Sequence, residues 1–236
     1  MQPDEIRSKL KEKGVAPPRP WEERKLYIAS TNAVIDQYVP PEGDGVASFL
    51  SVDKAKQLSE ATKRKAKQYR EVNKIREFEG EDFNIDIFAE KCIEIYENAH
   101  LALMEKDMDN IFKYVTEWCY PFMAEGMRNS TIHWKLLENV EPPRVVNVKS
   151  GDNISKGNTY AQITVRFHTK QLLAVYDRHG RLTRGSETSI RQCVEYIVFE
   201  KYLANEYGTW RMHSKILPKW HETTVPQTKK TYVASN

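Results

Sequence analysis

The stretch Asn158-Thr159-Tyr160-Ala161-Gln162-Ile163-Thr164-Val165-Arg166-Phe167-His168, running on to Ala174-Val175-Tyr176-Asp177, decides the fold. Thr159, Ala161, Ile163, Val165 and Phe167 fall on one face, and Tyr160, Gln162, Thr164, Arg166 and His168 on the other. A period of two marks a strand with one face in a core. Asp177-Arg178-His179-Gly180 follows with the chemistry of a hairpin turn. Residues 132–149 read as another strand, interrupted by Pro142-Pro143, and 209–217 as a further one. Residues 192–203 fit strand or helix.

Upstream the period lengthens. Ile87, Phe88, Cys92, Ile95, Tyr96, Ala99 and Leu103 recur at helical spacing, with Asp86 expected as the cap. A second helix is expected from Asp107 or Asp109, using Ile111, Phe112, Val115 and Cys119, with Pro121 ending or kinking it and a short continuation to Gly126. Helices first and long antiparallel strands after them make an α+β order, not alternating βαβ. Antiparallel strands curving around a helical hairpin would form a cone. This domain is expected over 83–221.

Residues 1–52 are expected to be an extended arm. A short charged helix over 4–13 precedes Pro17-Pro18-Arg19-Pro20, which forbids helix, and a β-rich segment runs from Leu26 to Val39 before the turn cluster at 40–45. Trp21, Tyr27, Ile28, Val34, Ile35 and Tyr38 make it too apolar for a mere linker. Residues 222–236 are expected to be a tail, disordered or laid along a partner.

Between arm and domain, 53–82 reads as a basic helix or linker with Asp53 as cap. Residues 54–76 hold nine Lys or Arg and two acids, Glu60 and Glu71. Leu58, Ala61, Ala66, Tyr69, Val72 and Ile75 form a narrow apolar stripe. By contrast, 81–130 carries eleven acids against four bases. Such asymmetry suits a polyanion on one side of a molecule. The candidate phosphate contacts are Lys54, Lys56, Lys63, Arg64, Lys65, Lys67, Arg70, Lys74 and Arg76, joined by Arg211 and Lys215. Arg166, Lys170, Arg178, Arg181, Arg184 and Lys219 add basic positions. Arg211, His213 and Lys215 alternate with Trp210, Met212 and Ile216, which predicts one cationic face on that strand. A solvated helix and an anionic lipid surface are the competing readings of the same charge.

Other chemistries find little support. Cys92, Cys119 and Cys193 form no CxxC pair, which argues for reduced thiols and against a zinc or redox motif. No two of the six histidines share a metal-binding spacing. The glycine patterns match neither a dinucleotide fingerprint nor a P-loop, and no GxSxG is present. An acid–base enzyme using a cone pocket would draw on Asp177, His179, Tyr160 and His133, although a solvated hairpin tip explains the first two. No cofactor is implied. No apolar run nears the roughly 18 residues of a membrane span. The first residues suit neither a signal nor a transit peptide, so organellar import would need a presequence outside this sequence.

Long strings match a known family. Residues 17–24 and 38–44, with Tyr160-Ala161-Gln162-Ile163-Thr164-Val165-Arg166, Ala174-Val175-Tyr176-Asp177-Arg178-His179-Gly180-Arg181-Leu182 and the run from Tyr207 to Ile216, closely resemble the family of mitochondrial large-ribosomal-subunit protein forty-five. The likeness covers about Lys11 to Trp220. The globular part also resembles, more weakly, the C-terminal domain of the inner-membrane translocase's forty-four-kilodalton subunit. The resemblance implies a cone-shaped nuclear-transport-factor-two-like domain. It also implies a non-enzymatic ribosomal component at the polypeptide tunnel exit, with an arm able to enter the tunnel. Its partners would be large-subunit rRNA, neighbouring mitoribosomal proteins, the inner-membrane surface or an insertase, and the nascent chain. Its location would be the mitochondrial matrix, against the inner membrane. Alternatives are a membrane-peripheral adaptor of protein import and a small-molecule isomerase or dehydratase.

Overall fold

The computed structural model describes residues 9–10, 12–14, 30–40, 68–125, 127–153, 156–205 and 207–218. Residues 68–79 are helical (α1, as far as it is described). Three helices follow: α2 (Ile85–Glu105), α3 (Met108–Tyr114) and the short α4 (Tyr120–Ala124). A 3-10 turn, Met127–Asn129, leads into β1 (Ser130–Asp152), β2 (Thr159–Asp177), β3 (Leu182–Tyr202) and β4 (Arg211–Ile216). The strands pair antiparallel in the order β1-β2-β3-β4, a meander that needs no crossover.

Local chemistry sets the boundaries. The α2 cap is Asn84, whose side chain accepts from the Asp86 amide, so the expected Asp86 cap shifts by two residues. Lys106 ends α2 in the left-handed region, at φ 56°, and its amide reaches back to the last carbonyls. Asp107 caps α3 by accepting from the Asp109 and Asn110 amides. The second helix stops at Tyr114, because Val115 turns extended and bridges Met212. Cys119 instead precedes α4, where Pro121 sits in the first turn.

Pro142-Pro143 does not interrupt β1. The pair falls in a register shift between Glu141 and Arg144, on an edge strand where missing amides cost little. Residues 192–203 are strand, not helix, up to Tyr202. Residues 30–40 contain bends and no strand, against the β-rich expectation for that part of the arm.

The core lies between α2 and one face of the sheet. Phe88, Cys92, Ile95, Tyr96 and Ala99 meet Ile163, Val165, Phe167, Ile197 and Phe199. Val72 and Ile75 from α1 belong to the same cluster, at 3% and 0% exposure. The packed unit therefore starts upstream of Phe83, the expected boundary. A second, smaller cluster lies on the opposite face: Tyr196, Val198 and Ile216, covered by Val34 and Tyr38.

Candidate nucleic-acid interface

Six of the cationic candidates, Lys54, Lys56, Lys63, Arg64, Lys65 and Lys67, lie outside the described residues, as does Lys219. The described end of the basic helix is bolted to the domain. Val72 and Ile75 enter the core, and Gln68 Nε2 donates to the Val146 carbonyl at 2.7 Å. Glu71, one of the two acids of the basic stretch, accepts from Ser150 N at 3.1 Å and Ser150 Oγ at 2.6 Å. Burial raises its carboxyl, but the Ser150 bonds with Lys74 and Lys149 outweigh that and hold it below the usual value. Glu79 pairs with Lys201 at 2.5 Å. The apolar stripe is thus an anchor, and it leaves Arg70 exposed. Lys74 is about half exposed beside Glu71 at 3.7 Å. Arg76 is turned partly inward, its Nε donating to the Phe83 carbonyl at 3.0 Å.

The expected cationic face of β4 does not exist. Arg211 is 5% exposed and donates to Glu117 at 2.9 Å and to the Phe112 carbonyl at 3.3 Å. His213 is fully buried. Lys215 projects further but pairs with Glu195. Arg166 is likewise buried against Glu141 at 2.7 Å, and Lys170 pairs with Glu138. Spacing along one strand cannot show the carboxylates that the fold brings opposite it. Arg211 is therefore held in a largely buried ion pair with Glu117.

The acid–base candidates are also dispersed. Asp177 builds the β2–β3 turn: its carboxylate accepts from the His179 amide at 2.8 Å and the Arg181 amide at 2.9 Å. Those bonds hold its carboxyl below the ordinary range. His179 sits exposed on that turn. His133 packs edge-on against Tyr176, and Tyr160 stacks on Tyr202 at 4.6 Å. A groove of about 570 Å³ between α2, α3 and the β3–β4 connection is lined by Lys91, Phe112, Tyr202, Tyr207 and Trp210, but by none of those four. Among the described residues no cluster of metal-ligating side chains occurs. No described helix is long and apolar enough to cross a membrane.

A buried polar network joins residues far apart in the chain. On the sheet face away from α2, Glu200 accepts from the Thr31 amide at 2.8 Å, from the Thr31 hydroxyl and from Gln162 Nε2 at 2.6 Å. Gln162 Oε1 accepts from the Ile35 amide at 2.7 Å. His213 lies 3.6 Å from Glu200 and 3.1 Å from Thr116 Oγ1. Burial lowers the His213 pKa, with Glu200 and the Ala33 carbonyl opposing. His213 and Glu200 side chains are both 0% exposed, so no substrate reaches them. The network fastens residues 30–40 across the sheet, aided by Tyr38 against Tyr196 at 5.5 Å and by Lys149 with Asp36 at 3.0 Å. The one sequence signal was a β2 face of Gln162, Thr164, Arg166 and His168, polar but not the Lys-rich face that water favours.

Residues 65–216 match the Tim44-like domain, and the four-stranded antiparallel sheet with its helices is the α+β unit of that match. Large ribosomal subunit protein mL45 of Drosophila melanogaster is 48% identical over 217 residues, covering 92% of this chain and 60% of that protein. The protein of the same name from Xenopus laevis is 44% identical over 226 residues, covering 96% of this chain and 72% of that one. The inner membrane mitoribosome receptor MBA1 of Saccharomyces cerevisiae is 26% identical over 117 residues, 48% of this chain and 41% of the receptor. The chain belongs to the Tim44-like domain family and, within it, to the family of large ribosomal subunit protein mL45.

Proposed function

We propose that the chain is a structural, non-enzymatic component of the mitochondrial large ribosomal subunit that helps tether the ribosome to the inner membrane. The observation that carries this reading is the 44–48% identity to proteins named for that subunit, extending over more than nine-tenths of this chain. The name of the yeast receptor supports the tethering part. The chain spans 60% of the fly relative's length, so partners of the longer protein are proposals here.

In finer detail, the domain is a nuclear-transport-factor-two-like cone whose interior is filled by Phe88, Phe167, Phe199 and their neighbours. It sits near the polypeptide tunnel exit on the matrix side of the inner membrane. The basic helix, from Lys54 to Arg76, contacts large-subunit rRNA by phosphate neutralisation. Among the described residues of that helix, Arg70 is exposed and Lys74, half exposed beside Glu71, can also reach phosphate. The arm and the opposite surfaces meet neighbouring mitoribosomal proteins, an insertase and the emerging nascent chain. The filled core and the dispersal of Asp177, His179, Tyr160 and His133 favour this over an isomerase or dehydratase.

Depletion of the chain from mitochondria tests the reading. Large subunits that float with inner-membrane vesicles in control material should shift to the unbound fraction, and reintroduced protein should restore flotation. Unchanged flotation of depleted subunits would overturn the tether. A second reading, a membrane-peripheral adaptor of protein import, rests on the Tim44-like match. It would be favoured by import defects in mitochondria whose ribosomes remain attached.

A further inference from the structure

We propose that the free end of the β2–β3 hairpin is a second RNA-contact surface, separate from the basic helix, that grips structured RNA by its phosphates. This inference rests on the ribosomal reading above and names a part of the molecule that reading leaves idle.

The sheet outruns its helical cover. The core ends near Trp134 and Phe167. At and past this edge, where Leu173 pairs with Trp134, Leu173, Leu182 and Ile190 stand 36%, 50% and 57% exposed. This end carries Arg178, Arg181, Arg184 and Arg191, all exposed, against two carboxylates, Asp177 and Glu187. Both carboxylates are engaged. Asp177 holds the turn and pairs with Arg181 at 2.9 Å, and Glu187 accepts from the Tyr176 hydroxyl at 2.5 Å. Arg178, Arg184 and Arg191 have no ion-pair partner among the described residues. Arginine, with its planar fork of donors, suits phosphate better than a point charge does.

The geometry is fixed, which favours a shaped partner over a loose polyanion. Arg184 lies opposite Val175 and Arg191 opposite Gln171, so their stems share one face of the sheet about 14 Å apart. Between these pairs β3 bulges, because Gln171 meets Arg191 while Leu173 already meets Ser186. The bulge is tied by Ser186 Oγ, which accepts from the Thr188 and Ser189 amides, both at 3.2 Å. Gly185 permits it: at φ +79°, a Cβ there would stand 1.9 Å from the Leu173 carbonyl oxygen. A rigid cationic ribbon of this kind matches the way duplex RNA is recognised, by shape and backbone and not by base edges. The outer face of α2, with Asp86, Glu90, Glu94, Glu97 and Glu105 against Lys91, repels RNA and leaves the hairpin end as the side turned towards it.

The test uses the full chain and a labelled RNA stem-loop, read by fluorescence anisotropy across a salt series. The variant is Arg178→Ala with Arg184→Ala and Arg191→Ala. Its turn, bulge and basic helix stay intact, and unchanged thermal unfolding verifies the fold. The expected result is at least a tenfold loss of affinity, with a salt slope shallower by roughly two to three, since each of the three phosphate contacts contributes roughly 0.7–0.9. The Arg→Lys version of the same triple variant should recover only part of the affinity, since it restores the charge without the fork. Equal binding by the alanine variant and the parent overturns the proposal. If that variant binds RNA normally yet fails to join large subunits, the surface meets protein and the proposal also falls. Absence of the parent chain from large subunits would instead overturn the ribosomal reading and leave this measurement standing.

Discussion

The two faces of the β2–β3 sheet are built from the same strands and hold together differently. Towards α2 the side chains are Ile163, Val165, Phe167, Ile197 and Phe199, all at or below 1% exposure. On the other side Gln162, Thr164, Arg166 and Glu200 are equally buried, at 1–3%. The first face is stabilised by removing apolar surface from water. The second is buried because residues 30–40 and Glu141 supply partners for Gln162, Glu200 and Arg166. A polar interior of that sort contributes little net stability when complete and costs much when one partner is removed. It specifies where residues 30–40 lie. Part of what reads as an arm is thus built into the domain.

The largest effect is expected on the apolar face. Phe167→Ala should cost about 3–5 kcal/mol, measured as a fall in the urea midpoint. A loss below about 1 kcal/mol would mean that the core is loosely packed there. On the polar face Glu200→Ala strands donors from Thr31 and Gln162 and should cost about 2–4 kcal/mol. Glu200→Gln, which keeps an acceptor, should cost less. If the two substitutions were equally harmful, charge and not hydrogen bonding would govern this face.

Acid acts on both faces alike, since His213 and Glu141 belong to the polar face and His100 and Glu195 lie beside Tyr96 on the other. His213 and His100 are both depressed chiefly by burial from the ordinary 6.5, so the unfolded chain takes up their protons first. Their contribution is complete above pH 6.5 and is lost as pH falls below it, by at most about 1.4 kcal/mol per pH unit for each. Glu141 and Glu195 are lowered despite burial, so the stability they supply is lost only below their usual 4.5. Unfolding midpoints between pH 7 and 5 should therefore fall, and His213→Asn should flatten part of that slope. Smaller still, Tyr38→Ala should cost about 1–2 kcal/mol through the lost contact with Tyr196. Arg70→Glu should leave stability within about 0.5 kcal/mol, since the side chain is exposed, while weakening assembly with RNA.

The apolar face is legible in the amino-acid sequence alone: alternation from Thr159 to Phe167 and the helical spacing of Phe88, Cys92 and Tyr96 determine which residues meet. The hairpin at Asp177 and a helix start at Asp107 or Asp109 are legible for the same reason, since both depend on neighbours in sequence. The polar face is not. Glu200 meets Thr31 across 169 residues, and Arg211 meets Glu117 across 94. No local pattern encodes such pairings, so Arg211 and His213 read as a cationic stripe when they are internal partners. The basic helix is a mixed case. Its apolar stripe is visible at Val72 and Ile75, but its fusion with the core depends on β1 lying beneath it, which no local spacing reveals.

Gradient sedimentation of mitochondrial lysate, with detection of this chain in each fraction, bears most directly on the ribosomal assignment. At moderate salt the chain should travel with the large subunit and leave it only when charge contacts are screened. A chain that stays at the top of the gradient, with intact large subunits below it, would contradict the assignment.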